Sequence, residues 1–513
     1  MARFFNTTGP CNPERHYMLP ATRRLPGLSA MVERDQYFVL HAPRQVGKTT
    51  SMLTFAAELR NEGYAAVWFS LERGQGMEEI ARAEPNWLQS LETRARSQLG
   101  LEFRSPAVNS GSGMFAAIQA LAAAVAPRRL VLLIDEADTA TGPALVSLLR
   151  QLRDGFVERA PGLFATSVAL IGMRDPRDYL TAAKGGVPTN PGSPFNIKIA
   201  SITLRNFMRD EVAELYGQHT ADTGQAFLGE AVDRVMDWTA GQPFLVNALA
   251  LDCMDNLVPD RAQPVTAAHI DLAKERLILS RTTHLDALAE RLKEARVARI
   301  VESVLLGDEH VAYNSDDFRY VTDLGLVVSD RGGARAANRM YQEILARELS
   351  VERQDNTPLP WWPWRRTNGT LDFPALVGAF RDYWRENADI ITEHLPDFPE
   401  AVAHIAYMAF LQRVVNGGGR VEREFAAGRG AVDLVVDYAG ERFVTEIKRV
   451  RPRDSHDTVR AQGLAQLSRY LDTLGMTEGW LLIVDQHPGR TWAERLWTED
   501  TVYEGKTLHL AGV

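Results

Sequence analysis

The first stretch able to do chemistry is Ala42–Thr50, with the sequence APRQVGKTT. It follows the apolar run Tyr37–Leu40 and precedes a segment with helical periodicity. A strand that ends in a tight loop and opens a helix presents backbone N–H groups to a phosphate chain. Lys48 can neutralise the outer phosphates, and the hydroxyl of Thr49 can bind Mg²⁺. The stretch therefore predicts a nucleotide-binding P-loop.

The loop departs from the usual pattern G-x-x-x-x-G-K-[ST] at one position, where Ala42 replaces the first glycine. Glycine serves there to let the turn reverse without strain from a Cβ atom, so the alanine weakens the match. The rest of the pattern is intact. We assign the nucleotide contacts to Pro43, Arg44, Gln45, Val46, Gly47, Lys48, Thr49 and Thr50.

A pair of acidic residues, Asp135 and Glu136, follows the apolar run Leu130–Ile134. Such a run is typical of a parallel strand covered on both faces. An acid at the end of a strand beside the P-loop can hold Mg²⁺, and the next acid can orient an attacking water. We predict Asp135 as a Mg²⁺ site residue together with Thr49, and Glu136 as catalytic. The structural alternative is a pair of solvated loop acids.

A charged segment follows the predicted strand Ser167–Gly172. Arg174 in this segment can reach the γ-phosphate and act in hydrolysis, and Arg177 is an alternative for the same role. A surface loop rich in charge explains the pattern equally well.

A second candidate site lies near the C-terminus, where Asp433, Glu446 and Lys448 occur in two β-type segments. Residues i and i+2 of a strand share one face, so Glu446 and Lys448 project together. A hairpin turn at Tyr438–Glu441 would bring Asp433 level with them. Two carboxylates and a lysine can bind Mg²⁺ and prepare a water for attack on a phosphodiester. The alternative is an amphipathic hairpin with a solvated charged face.

The charge balance around this second site differs from that of the whole chain. Between Arg413 and Arg469 there are eleven Arg and Lys against eight Asp and Glu, although the net charge of the chain is −9. A local basic excess favours a phosphate polymer as the partner. The charge balance does not distinguish DNA from RNA as that partner.

The elements that position these residues alternate between strands and helices up to residue 172, which predicts an α/β layer with a parallel sheet. The expected division is an ATPase core at 1–205, a helical lid at 206–280, a helix–helix–hairpin segment at 281–350 with a turn at Gly332–Gly333, a linker at 351–373 and a second α/β domain at 374–513. Trp361, Trp362 and Trp364 in the linker are expected to dock on a neighbouring surface.

The segments HAPRQVGKTT, LLIDEAD, GMRD and TAGQPFLVNAL together resemble AAA-like ATPases of the STAND type. The resemblance covers roughly residues 1–350 and includes a winged helix at 281–350. It implies ATP and Mg²⁺ as cofactors and a conformational switch driven by the nucleotide. It also implies that the lid turn Gly241–Gln242–Pro243 lies close to the nucleotide.

The pattern D-x12-E-x-K from Asp433 to Lys448 resembles the PD-(D/E)XK nucleases. Gly428–Gly430, just before Asp433, is similar to the lead-in of that family. The Q-x-x-x-Y motif of Gln466 and Tyr470 is similar to that of its exonuclease-like branch. The resemblance implies a restriction-endonuclease-like fold that cleaves DNA with Mg²⁺. Gln466 and Tyr470 would contact DNA or support the metal ligands, and both also suit packing roles.

The third acidic ligand implied by this resemblance is Glu400, with Glu424 as the alternative. The pairing of the two domains suggests defence against foreign DNA or DNA processing. A rival function is a signalling or DNA-binding scaffold whose C-terminal domain binds nucleic acid without cutting it.

The bulk properties are those of a cytoplasmic protein. The chain has 513 residues, enough for several domains, and its two cysteines do not suggest a disulfide framework. It contains no apolar run long enough to span a membrane, so we expect no membrane partner. A homo-oligomer is compatible with the ATPase assignment.

Overall fold

The computed structural model places most of the chain. It describes residues 3–173, 198–280, 288, 290–305, 315–330, 333–345, 364, 366, 368–393, 407, 410–411, 419–425, 432–450, 454–485 and 489–513. These residues form two compact units. The first comprises Met1–Ser280 with Asp323–Gly325, and the second comprises Arg281–Thr322 with Leu326–Val513.

A parallel sheet of five strands organises the first unit, as the alternating pattern predicts. Its strands are β1 (Tyr37–His41), β2 (Ala65–Ser70), β3 (Leu130–Asp135), β4 (Ser167–Gly172) and β5 (Lys198–Thr203). All neighbouring pairs are parallel, in the order β2-β3-β4-β1-β5. Because the strands are parallel, β1 and β3 end at the same edge, and β4 lies between them.

Helices cover both faces of this sheet. The helices of this layer are α1 (Leu28–Glu33), which precedes β1, and α2 (Lys48–Asn61), α3 (Ile80–Leu99), α4 (Gly113–Val125) and α5 (Gly142–Val157). Successive residues of β1 enter two different apolar clusters, with Tyr37 and Val39 in one and Phe38 and Leu40 in the other. Burial on both faces explains why the strand reads as a continuous apolar run.

The region predicted to be a lid, residues 206–280, contains the α-helices α6 (Arg209–Thr223), α7 (Gly229–Thr239), α8 (Pro243–Asp252) and α9 (Ala267–Leu279). The N-terminal arm packs against α6. Phe5 of the arm is buried, with its ring 5.4 Å from the ring of Tyr216. Gln218 exchanges two hydrogen bonds with the backbone of Met18. The arm is therefore an integral part of the first unit.

The second unit includes a helix–helix–hairpin segment. Its elements are α10 (Ala295–Leu305), α11 (Asp316–Asp323), β6 (Val327–Asp330) and β7 (Gly333–Ala336). The hairpin is antiparallel, and Gly333 is the first residue of β7, opposite Asp330. A hairpin is thus present where the turn at Gly332–Gly333 was expected, with Gly333 paired in β7, and Gly332 lies outside the described residues.

A six-stranded mixed sheet forms the rest of the second unit. Its elements are α12 (Phe373–Glu393), β8 (Gly419–Phe425), β9 (Val432–Tyr438), β10 (Glu441–Val450), α13 (His456–Leu474), β11 (Glu478–Asp485), α14 (Trp492–Arg495), β12 (Thr498–Tyr503) and β13 (Lys506–Gly512). The strand order is β12-β13-β11-β10-β9-β8. Strands β8, β9 and β10 form an antiparallel meander, and β10 pairs in parallel with β11. Helix α13 makes this crossover and packs on the sheet through Leu467 and Leu471.

Most of the predicted linker lies outside the described residues, including Trp361 and Trp362. Trp364 is described and buried, with its ring 6.0 Å from that of Phe410. None of the helices in the described part of the chain is long and apolar enough to cross a bilayer.

Candidate functional sites

The loop between β1 and α2 has the shape of a phosphate-binding loop. Gln45 and Gly47 adopt left-handed conformations, with φ of 58° and 93°, and α2 begins at Lys48. Ala42 is not among the residues with positive φ, and its N–H donates to the carbonyl oxygen of Gly172 at 3.2 Å. The loop therefore needs no glycine at position 42, which explains why alanine is tolerated there.

Lys48 lies within this loop. Its Nζ donates to the carbonyl oxygens of Ala42 at 2.7 Å and Pro43 at 2.8 Å. Burial lowers the pKa of Lys48, and the charge of Glu136 opposes that shift. The ammonium group is thus held against the loop backbone, where it can also meet a phosphate.

Asp135 and Thr49, the two residues predicted to hold Mg²⁺ at the nucleotide, are in contact. The hydroxyl of Thr49 donates to Oδ2 of Asp135 at 2.8 Å. Nε1 of Trp68 donates to the same oxygen at 3.2 Å, and the N–H of Glu136 donates to Oδ1 at 2.9 Å. Burial raises the pKa of Asp135, while these hydrogen bonds oppose the rise. The hydroxyl of Thr49 and the carboxyl of Asp135 offer oxygen ligands of the kind that a hard cation prefers.

Glu136 lies directly after β3 in a left-handed conformation with φ of 53°. Burial, followed by the charges of Asp138 and Asp135, raises the pKa of Glu136 to about 7. Non-glycine residues rarely adopt this conformation, and such outliers cluster at functional sites. A carboxyl that titrates near neutral pH is suited to proton transfer or to orienting a water.

The turn Gly241–Gln242–Pro243 meets the P-loop. Nε2 of Gln242 donates to the carbonyl oxygen of Gln45 at 3.4 Å, and its Oε1 caps α8 by accepting from the N–H of Leu245 at 2.7 Å. Gly241 has φ of 71°. One glutamine thus contacts the loop and starts the lid helix.

Arg24 and Trp68 also belong to this site, although no sequence pattern predicted them as site residues. Arg24 contacts the P-loop residue Val46 through a hydrogen bond to its backbone. Its partner is a carbonyl oxygen, which every residue has, so no sequence pattern could reveal the contact. For Trp68, the sequence offers one signal, its place near the end of the apolar stretch Tyr64–Ser70.

At the second site, the structure brings Glu446, Lys448 and Gln466 together. Glu446 is 0% exposed, and its Oε1 lies 2.8 Å from Nζ of Lys448. The same Nζ donates to Oε1 of Gln466 at 2.6 Å. Burial raises the pKa of Glu446, and the charge of Lys448 opposes the rise. The E-x-K pair on β10 is therefore joined to the Q-x-x-x-Y helix.

The strand register places two further acids at neighbouring positions. The predicted hairpin turn is present, with Tyr438 paired to Glu441 and Leu434 to Thr445. Asp433, one residue further along β9, pairs with Glu424 of β8. The side chains of Asp433 and Glu424 lie outside what the structure describes.

Several predicted residues lie outside the described residues altogether, namely Arg174, Arg177 and Glu400. Tyr470 packs against the apolar cluster beneath α13. Among the side chains that are described, no group of three or more His, Cys, Asp or Glu is placed to hold a metal ion. That set does not include Asp433, Glu424 or Glu400.

Comparison with known proteins gives one family match and several fold matches. A family model described as "AAA domain" matches residues 32–180. A Walker-type ATPase of Pyrococcus abyssi is 13% identical, with a TM-score of 0.47, covering 66% of this chain and 99% of its own. The ORC2 protein of Aeropyrum pernix is 14% identical, with a TM-score of 0.40 and coverages of 65% and 92%.

The RuvB Holliday junction branch migration motor of Thermotoga maritima is 16% identical, with a TM-score of 0.35 and coverages of 63% and 92%. A search of curated proteins gives no significant match. The family match coincides with the strands and the loop that carry Lys48, Thr49 and Asp135. The region of residues 32–180 therefore matches an AAA-type P-loop ATPase domain.

Proposed function

We propose that this ATPase is a STAND-type switch that controls a Mg²⁺-dependent nuclease of the PD-(D/E)XK type in residues 374–513. The nuclease would cleave DNA, in defence against foreign DNA or in DNA processing. The observation that carries the proposal is the buried carboxylate of Glu446, paired with Lys448, which in turn bonds Gln466.

Burying the carboxylate of Glu446 costs free energy, which is unexpected for a residue with only a structural role. Both carboxylate oxygens are buried, and within the described residues neither accepts a hydrogen bond of good geometry. The ion pair with Lys448 is the one compensating contact that we find there. Buried charges of this kind are expensive unless they are fully paired or bind a metal. A missing cation would account for the two poorly satisfied oxygens.

The donor set fits Mg²⁺, which prefers oxygen ligands. Asp433 and Glu446 would hold the ion, with Glu424 or Glu400 as a third acid. Glu424 has support from its register position opposite Asp433. When bound, the ion would supply charge neutralisation at the phosphate and a more acidic water.

The remaining residues of the site would position the reaction. Nζ of Lys448 would stabilise the charge that develops on the phosphodiester, and Gln466 would keep that ammonium group in place. The basic excess between Arg413 and Arg469 supports a nucleic-acid substrate.

At the other site, Thr49 and Asp135 would hold the Mg²⁺ of the nucleotide, and Glu136 would orient the attacking water. Arg174 or Arg177 would sense the γ-phosphate. The proposal also includes a winged helix at residues 281–350. It further places the protein in the cytoplasm, as a homo-oligomer. The order of α10, α11 and the β6–β7 hairpin supports the winged helix.

The test is cleavage of supercoiled plasmid, linear DNA and RNA by the full chain, with Mg²⁺ or a chelator, and with and without ATP. We expect Mg²⁺-dependent DNA cleavage whose rate changes with ATP. Asp433→Asn and Glu446→Gln should each lower the rate by about 10²-fold or more, as expected for essential groups of the site.

Asp437→Asn is the matched control. Asp437 lies on the same strand as Asp433, but its carboxylate forms a partly exposed ion pair with Arg442 at 2.7 Å. This variant should cleave at the wild-type rate. Cleavage that survives both Asp433→Asn and Glu446→Gln would refute the proposed active site. ATP turnover with DNA binding and no cleavage would favour the scaffold function instead.

A further inference from the structure

An arginine of the N-terminal arm is buried beside the P-loop. Arg24 ends a short 3-10 turn, Ala21–Arg24, and is 7% exposed. Its Nη1 donates to the carbonyl oxygens of Val46 and Arg205, each at 3.0 Å. The guanidinium lies over the ring of Phe207, 4.7 Å from its centroid.

The cost of burying the Arg24 guanidinium is compensated in an unusual way, by hydrogen bonds to backbone carbonyl oxygens. Burial lowers the pKa of Arg24 to about 10, so the group stays charged at neutral pH. Among the described residues, its hydrogen bonds go to backbone carbonyls and not to a carboxylate. The nearby Glu211 is engaged by Arg205 at 2.6 Å. Buried charges are usually matched by an opposite charge, so a role beyond packing is indicated.

The bond to Val46 controls one particular peptide group. The carbonyl of Val46 and the N–H of Gly47 belong to the same planar trans peptide, so they point in opposite directions. Holding the oxygen on Arg24 directs the N–H of Gly47 to the other side of the loop. Glycine permits the left-handed φ of 93° that this arrangement uses. Nη2 of Arg24 also lies 3.1 Å from where a Cβ on Gly47 would be.

The same arginine touches the segment that leads into the lid. Arg205 and Phe207 follow β5, and the N–H of Phe207 donates to the carbonyl oxygen of Gly241 at 2.9 Å. Gly241 precedes Gln242, which contacts the P-loop at Gln45. Arg24 therefore joins the P-loop at Val46 to the segment that follows β5, while Gln242 contacts the P-loop at Gln45.

We propose that Arg24 is a positioning residue of the ATP site, which orients the Val46–Gly47 peptide so that the N–H of Gly47 is available to the phosphates. Such preorganisation lowers the cost of binding because the loop need not rearrange. This inference rests on the ATP site and is independent of the proposed nuclease.

The test compares Arg24→Gln, Arg24→Lys and Arg23→Gln with the wild-type full chain. We expect Arg24→Gln to weaken ATP and ADP binding about tenfold or more, since a charged hydrogen bond is lost. The KM for ATP should rise while kcat changes little, because the peptide contacts phosphate in ground and transition states alike. Arg24→Lys should weaken binding about threefold or more, since an ammonium cannot reproduce the planar guanidinium.

Arg23→Gln is the matched control because Arg23 precedes Arg24 in the same turn. Its side chain is 45% exposed and pairs with Glu214, which is also exposed. Its loss should change nucleotide affinity less than about twofold, as for other surface ion pairs. Equal losses in Arg23→Gln and Arg24→Gln would overturn the proposal, because they would indicate a general weakening of the arm.

Wild-type affinity in Arg24→Gln would also overturn the proposal. If Arg24→Gln does not fold, the same measurement on Arg24→Lys decides, and unchanged affinity there contradicts the proposed role. A wild-type protein that binds no ATP would contradict the nucleotide site itself, so the two failures are distinguishable.

Discussion

Asp135 and Glu136 are adjacent in sequence, and burial raises the pKa of both carboxyls, but their surroundings differ. The carboxylate of Asp135 accepts hydrogen bonds from Thr49, Trp68 and the backbone, which stabilise its ionised form against burial. The pKa of Glu136 is raised by burial and by the charges of two neighbouring carboxylates. This contrast supports the proposed roles, in which Asp135 binds a cation and Glu136 transfers a proton or orients water.

With Glu136 as the residue that orients water, ATP hydrolysis should depend on pH near neutrality. The pKa of Glu136 is about 7, so the active carboxylate is lost as the pH falls below that value. We expect kcat/KM for ATP to decrease from about pH 8 to about pH 6, since this quantity reports ionisations of the free enzyme. The measurement is a pH–rate profile at fixed ionic strength.

Asp138→Asn provides the control for this prediction. The charge of Asp138 helps to raise the pKa of Glu136, so its removal should move the profile to lower pH. A profile that stays in place would contradict this origin of the shift. The same raised pKa makes the folded state bind a proton more readily than the unfolded chain between pH 4.5 and about 7. This group therefore lowers the stability of the fold as the pH rises through that range.

At the scale of elements, the lid turn depends on close backbone contact. Gly241 has φ of 71°, and a Cβ at this position would lie 2.0 Å from the carbonyl oxygen of Phe207. The turn joins α7 to α8 and carries Gln242 to the P-loop. Any side chain at position 241 must therefore displace the segment that follows β5.

Gly241→Ala should destabilise the protein through both strain and collision. We expect a loss of about 3 kcal/mol or more in the free energy of unfolding, measured by urea denaturation. Gly224 is a control for backbone strain without collision, because its φ is 80° and nothing lies within 4 Å of an added Cβ. Gly224→Ala should cost only about 1 kcal/mol. Equal costs at the two positions would show that the contact with Phe207 is unimportant.

The strands differ in how well the sequence predicts them. β1, β3 and β4 were predicted within a residue or two because they are buried on both faces and read as apolar runs. β5, β12 and β13 were not predicted. β5 and β12 lie at sheet edges, and β12, with the sequence TEDTVY, is largely exposed, whereas β13 lies between β12 and β11. Edge strands need not be apolar, so hydrophobic pattern does not mark them.

At the scale of the whole molecule, the two candidate sites belong to different compact units. Lys48 and Asp135 lie in the first, while Asp433 and Glu446 lie in the second. Each unit has its own sheet and its own apolar clusters. A substitution that abolishes ATP hydrolysis should therefore leave the second site able to cleave DNA. A substitution that abolishes cleavage should leave ATP hydrolysis unchanged.

Lys48→Ala and Asp433→Asn should separate the two activities. Lys48→Ala should abolish ATP turnover and make cleavage insensitive to ATP, because the loop loses its phosphate-binding cation. Asp433→Asn should abolish cleavage and keep wild-type ATP turnover. The measurements are phosphate release and plasmid cleavage on the same preparations. Normal ATP turnover in Lys48→Ala would refute the P-loop assignment, and loss of turnover in Asp433→Asn would refute independent sites.

The sequence by itself determined the features that depend on near neighbours. The P-loop, the apolar strand that ends in Asp135 and Glu136, and the hairpin at Tyr438–Glu441 each involve a few consecutive residues. Their geometry follows from local backbone preference and burial, so the pattern suffices to predict them.

Only the tertiary structure decided which distant groups meet. Arg24 reaches the carbonyl oxygen of Val46, Trp68 reaches Asp135, and Lys448 reaches Gln466. The tertiary structure also raises the pKa of Glu136, because it buries that carboxyl. Hydrogen bonds between distant elements and the desolvation of a carboxyl depend on how the chain packs, which no local pattern encodes.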